Sequence, residues 1–228
     1  MGHMGDASSE FSRVPSTLHG QLFLLAFDPK SRRFDGYDAT VFGFALRTAM
    51  LTDLLVRGFL MERAGWPVPA RAASPDNAIL RAAFAQVGVH NRATWAQLVV
   101  GNAQEAISAV REQLVNEGWL RTRRLPGCVV SDACLEPYDD SRVRALADGV
   151  SAAVRNAIAG LPAEPWSLAC GLLAVLAELP GVAELAADVQ NWDRLDEFAT
   201  GALVPVSGLI ETIRHHRGCQ PGMAGGSP

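Results

Sequence analysis

The stretch GFALRTAMLTDLLVRGFL, residues 43–60, constrains the fold more than any other part of the chain. Phe44, Leu46, Met50, Leu51, Leu54 and Leu55 recur at helical spacing, and Gly58 supplies a helix stop. The run is strongly apolar, yet it carries Arg47 and Arg57 in a chain whose net charge is −4. Ten residues at about 100° each put the two arginines roughly 80° apart around the axis, so they need not share a role. Arg57, beside the stop, reads as a structural cation that complements the helix C-terminus. Arg47 is left with two readings: it holds the helix in place, or it faces a ligand.

Elsewhere the pattern is also mainly helical. LFLLAF (22–27) is a short apolar run that fits a buried strand or the first turn of a buried helix. FLMERAGWPVPARAASP is rich in Pro and Gly and leaves room for a short hairpin at most. Ser74-Pro75-Asp76 is placed to cap a helix through Ile79, Leu80, Ala83, Phe84 and Val87. TWAQLV opens another helical patch, and Ile107, Val110, Leu114 and Val115 define a helix ending at Gly118. RTRRLPGCVV then gives a basic stretch, a Pro-Gly turn and a β-prone run. Val143, Leu146, Val150, Val154, Ile158 and Leu161 mark an amphipathic helix. Residues 167–179 are apolar nearly all round, which predicts a central helix. Helices near 183–200 and 202–214 follow. The expectation is a mostly α, single globular domain over 21–216 with a few short strands or a β-hairpin. It is flanked by a disordered segment 1–20, where MGHM resembles an expression scar, and a disordered tail 217–228.

Charge and composition exclude several functions. Residues 1–125 hold 14 basic and 11 acidic side chains and residues 126–228 hold 6 and 13, so the halves carry +3 and −7. A net-negative chain is not built to coat nucleic acid, and an anionic partner meets the first half. Of the 20 basic residues only Lys30 is lysine, which leaves Schiff-base chemistry one residue in a polar loop. Cys128, Cys134, Cys170 and Cys219 lack metal or disulfide spacing and read as free thiols filling space in a reducing cytoplasm. The longest apolar candidate, LACGLLAVLAEL, has 12 residues, ends at Glu178 and Pro180, and falls short of the roughly 20 that span a bilayer. There is no GxGxxG, P-loop or GxSxG.

Three charged groupings remain. Asp139-Asp140 with Glu136 is the spacing that divalent metals use beside phosphates, and it is also a helix N-cap ahead of Val143; the cap is the favoured reading. The cluster Asp188–Glu197 reads as a solvated face. Arg121, Arg123 and Arg124 form the densest basic run, suited to solvent or to an anionic membrane. No metal and no cofactor is expected.

The blocks LRTAMLTDLLVRGFL (46–60), SPDNAILRAAF (74–84), TWAQLV (94–99) and AVREQLVNEGWLRTRR (109–124) fall in the order found in the Golgi phosphoprotein 3 family, and the chain resembles a divergent, actinomycete-type bacterial member. Its signature helix matches at Arg47, Asp53, Arg57 and Gly58. The resemblance implies a helical domain with a β-hairpin, self-association, and peripheral membrane binding through phosphatidylinositol 4-phosphate. In that family the head-group pocket uses a tryptophan, the signature-helix arginine and two later arginines. Here Arg47 matches the first arginine, the tryptophan position falls at Tyr37 or Asp38, and the later helix offers Gln104 and Ile107 with Arg111 as its basic candidate. The membrane-inserting hairpin is shortened to GWPVPARAA.

Two functions follow as expectations. The first is a cytoplasmic module, peripheral to the inner membrane face, that binds anionic lipid or a partner through Arg47, Tyr37, Asp38 and Arg111, with Arg121, Arg123 and Arg124 as membrane contacts. The second is a small-molecule-binding protein or enzyme of specialised metabolism, taking a hydrophobic isoprenoid or polyketide in an apolar pocket with Asp38, Asp53 or Asp139 as catalytic groups.

Overall fold

Capping residues decide where the helices begin. In the computed structural model, which describes residues 14–70, 73–89, 93–122, 135–183, 185 and 204–219, Thr17 accepts from the Gly20 amide at 3.3 Å and starts α1, Leu18–Leu25. All eight of its residues are buried, so LFLLAF lies in and just after a buried helix rather than a strand. This helix begins at Leu18, inside the segment 1–20 for which disorder is the expectation. Asp38 accepts from the Thr40 and Val41 amides and starts α2, Ala39–Val56. Gly58 at φ +72° ends it, with Gly58 N–H on Leu55 O and Phe59 N–H on Leu54 O, a Schellman motif.

The next elements are β1, Leu60–Arg63, β2, Trp66–Pro69, and α3, Ala78–Val89. The cap of α3 is Asn77, whose Oδ1 accepts from the Ile79 and Leu80 amides at 3.0 Å. Ser74-Pro75-Asp76 therefore lies before the helix and does not cap it. Thr94 and Gln97 form a reciprocal capping box for α4, Trp95–Val100. Then come α5, Ala103–Asn116, β3, Leu120–Thr122, β4, Leu135–Pro137, α6, Asp140–Ile158, and α7, Pro165–Leu176. A 3-10 turn, Pro180–Val182, follows, and α8 runs over Val204–Cys219. It thus runs past 214, the expected helix end, and into the segment 217–228 expected to be a disordered tail. The acidic cluster 188–197, Cys128 and Cys134 lie outside the described residues.

Within the stretch read as one domain, the chain groups into two compact units, each built from two separate segments. One comprises Met1–Tyr37 and Ser108–Gln190, the other Asp38–Ile107 and Asn191–Pro228. In the first, α1 packs on α6, α7 and the 3-10 turn, and β3 pairs antiparallel with β4. The expected central helix is α7, buried from Ala169 to Leu176, where burial pushes the Cys170 thiol pKa well above its ordinary value.

In the second unit α2 packs on α3, α4, α8 and β1. Every residue of α2 from Val41 to Leu54 is buried. It is a helix long and apolar enough to cross a bilayer, longer than any uninterrupted apolar run in the sequence, but 78% of its length is buried within the protein and it carries Arg47 and Asp53. Its close approach to the start of α5 requires glycine, because a Cβ at Gly43 would lie 2.6 Å from the Ala103 carbonyl oxygen.

Gly43→Ala is therefore expected to cost about 1–3 kcal/mol through overpacking. Gly149→Ala, mid-α6 with nothing within 4 Å of the new methyl, is expected to gain roughly 0.5–1 kcal/mol from helix propensity. Urea unfolding of the two variants checks both signs.

Candidate functional site

α2 places three of the sequence-predicted groups: Asp38 at its cap, Arg47 at mid-length and Asp53 near its end. Asp38 is exposed, serves the helix amides, and has His216 Nε2 at 3.9 Å from its other oxygen. Arg47 is only 3% exposed. Its Nε and Nη2 both donate to the Leu98 carbonyl, at 3.2 and 3.1 Å, and Nη2 also donates to Gln86 Oε1 at 2.6 Å. Nη1 reaches only the Met50 sulfur, at 3.9 Å.

The choice of partner has a physical reason. Leu98 lies in the last turn of the six-residue α4, where helix carbonyls have no amide partner of their own. A cation there completes the carbonyl's bonding and complements the negative end of the helix dipole. Burial lowers the Arg47 pKa to about 10, with the Glu105 carboxylate pulling the other way, so the guanidinium stays charged at neutral pH.

The remaining polar groups of α2 are mostly accounted for internally. Thr48 Oγ1 donates to the Phe44 carbonyl at 2.9 Å. Asp53, fully buried, accepts from Arg57 Nε at 2.5 Å, an i,i+4 pair. Arg57 therefore neutralises a buried carboxylate, which is more specific than the dipole role read from the sequence. Thr52 Oγ1 is buried with no hydrogen-bond partner among the described residues.

The hairpin beyond α2 is a different surface. Arg63 and Trp66 flank a two-residue turn in which Ala64 and Gly65 have φ +52° and +83°, the type I′ geometry that matches strand twist. The register pairs Met61 with Val68 and Arg63 with Trp66. Because side chains alternate along a strand, these four share one face. Met61 is 48% exposed, Trp66 39%, and Arg63 is also exposed. Arg63 and Met61 were missed by the sequence reading; the alternation Met-Glu-Arg and Trp-Pro-Val about Ala-Gly was the available signal.

The other predicted residues belong to the first unit. Asp139 is the N-cap of α6, accepting from the Ser141 amide and hydroxyl at 2.9 and 2.6 Å, which hold its carboxyl below the usual range. Asp140 takes Arg32 Nη1, and Glu136 takes Arg121 Nε at 2.8 Å, with Arg32 Nη2 at 3.8 Å. This acidic trio is thus engaged in a cap and a surface ion-pair network. Arg121 also lies over the Tyr138 ring, 5.7 Å from its centroid. Tyr37 and Arg111 are half-buried. Arg123 and Arg124 lie outside the described residues. The later-helix counterparts are an exposed Gln104 and a buried Ile107.

These features define a mostly helical module with two small antiparallel strand pairs, whose signature arginine is spent inside its own unit. The profile of the Golgi phosphoprotein 3 (GPP34) family matches residues 18–210, most of the chain, and the protein belongs to that family. No curated protein matches the chain. Family membership suggests a lipid- or partner-binding module.

Arg47→Lys is expected to lower stability by about 1–3 kcal/mol, since one ammonium cannot reproduce a fork that serves a buried carbonyl and Gln86 together. Wild-type stability in urea unfolding of this variant would contradict the assigned role.

Proposed function

We propose that the protein is a peripheral membrane-binding module for anionic lipid, and that it meets the bilayer through the exposed face of the β1–β2 hairpin. The observation that carries this reading is the grouping of Met61, Trp66 and Val68 with Arg63 on that face. Tryptophan favours the membrane–water interface, and a neighbouring arginine buries its stem while its head stays among phosphates. Each cation near an anionic surface contributes about 1 kcal/mol. One such hairpin makes a reversible contact. Phosphatidylinositol 4-phosphate is the head group that the family suggests. Such a module would act at the inner membrane face, in the cytoplasm.

Arg47 enters this reading as a structural residue. Its donors are directed at Leu98, Gln86 and Met50, so a lipid phosphate would have to displace bonds that finish α4. The alternative of a hydrophobic-substrate enzyme took Asp38, Asp53 or Asp139 as catalytic groups; here Asp38 and Asp139 serve helix amides and Asp53 pairs with Arg57, which lends it no support.

The test is co-sedimentation of the full chain with neutral, mixed-anionic and phosphatidylinositol 4-phosphate vesicles at low and physiological salt. Binding is expected only to the anionic vesicles and is expected to weaken with salt. Trp66→Ala should reduce it roughly tenfold, corresponding to about 1.4 kcal/mol. Protein that stays in the supernatant throughout, or binding unchanged by both Trp66→Ala and Arg63→Gln, would overturn the proposal.

A further inference from the structure

The first unit holds a second concentration of unused cations, independent of the hairpin. One face of α6 carries Arg144, Asp148, Ser151 and Arg155, spaced i, i+4, i+7 and i+11, and forms one wall of a cleft of about 450 Å³. The opposite wall is the Asp28–Lys30 loop that leaves α1, together with the 3-10 turn Pro180–Val182. Lys30, the chain's one lysine, therefore faces the same space as two arginines.

These three cations differ from others in the same unit. Arg32, Arg33, Arg121 and Arg142 each hold a carboxylate. The side chains of Lys30, Arg144 and Arg155 have neither a hydrogen bond nor an ion pair among the described residues. Two carboxylates also line the cleft. That of Asp28 is occupied by the loop itself, accepting the Lys30 and Ser31 amides at 2.8 and 3.2 Å. Asp148 and the Ser151 hydroxyl remain as acceptor and donor for a ligand's own polar groups.

Three cations around one recess, two of them guanidiniums with no carboxylate partner among the described residues and the third a lysine whose charge also acts on Asp28, match an anion with several oxygens better than a single carboxylate. The volume exceeds what an inorganic anion needs and falls in the range of small-molecule sites. We propose that this cleft binds a phosphate-bearing organic molecule, its phosphate held by Lys30, Arg144 and Arg155 and its hydroxyls by Asp148 and Ser151. The phosphate could come from a soluble phosphoester or from a lipid head group, and the two sources are separable.

The full chain is titrated calorimetrically with inorganic pyrophosphate, and separately sedimented with phosphatidylcholine vesicles containing phosphatidic acid. Arg144→Gln/Arg155→Gln and Lys30→Gln are run alongside; their side chains make no hydrogen bond or ion pair among the described residues, and circular dichroism confirms that the variants fold. Saturable one-site pyrophosphate binding, weakened at least tenfold in the double variant and unchanged in Arg63→Gln, establishes a site for soluble phosphate. Vesicle binding that is lost in the double variant but retained in Arg63→Gln, without pyrophosphate binding, establishes a lipid phosphate. Absence of both, or binding that neither cleft variant weakens, overturns the proposal.

Discussion

The second unit depends on one interaction, the guanidinium of Arg47 on the carbonyl of Leu98. α2 is buried along most of its length, and a charge on such a helix is tolerated only where its donors are taken up. α4 has a matching shortage, because a six-residue helix ends with carbonyls that have no amides to accept from. Each defect resolves the other. With Gln86 taking a further donor and Glu105 partly offsetting the desolvation, the buried cation needs no ion pair of its own. The same logic recurs a turn and a half later, where Arg57 covers the carboxylate of Asp53.

This arrangement changes what the signature helix says about function. An arginine in the middle of an apolar helix reads naturally as a ligand contact, and the family resemblance strengthens that expectation. In the folded chain the residue completes a neighbouring helix, and the cations left for partners are elsewhere: Arg63 on the hairpin of one unit, and Lys30, Arg144 and Arg155 around the cleft of the other. The net-negative chain thus keeps local positive surfaces, and it is local charge that an anionic ligand meets.

Helix period and stop signals made most of the architecture legible. The positions of α2, α5 and α6 follow from apolar spacing, the first two closed by Gly58 and Gly118, and that of α7 from a run apolar nearly all round. Asp139 as the α6 cap was also readable, since an acid just ahead of the amphipathic run that opens at Val143 satisfies amides that would otherwise be orphaned. What failed was local competition between similar signals. Ser74-Pro75-Asp76 resembles a helix start, but Asn77 alone reaches the free amides of Ile79 and Leu80. LFLLAF had no period to read because all its sides are buried. The partners of Arg47 were beyond reach, since a backbone carbonyl 51 residues away leaves no mark in composition or spacing. The α6 cleft was hidden likewise, as it depends on which charges the fold brings together, whereas the hairpin face had a signal in the strand alternation about Ala64-Gly65.

The central functional claim is that one face of the β1–β2 hairpin enters the interface of an anionic bilayer. The most direct measurement places an environment-sensitive fluorophore on a cysteine introduced by Met61→Cys, and in a second protein by Glu62→Cys on the opposite face, with Cys128, Cys134 and Cys219 replaced by serine and Cys170 left buried in α7, and records emission on adding anionic vesicles. The account predicts a blue shift at 61 and little change at 62, because alternate strand positions point to opposite sides. Equal shifts at both positions, or none at 61 while the protein is vesicle-bound, would contradict it.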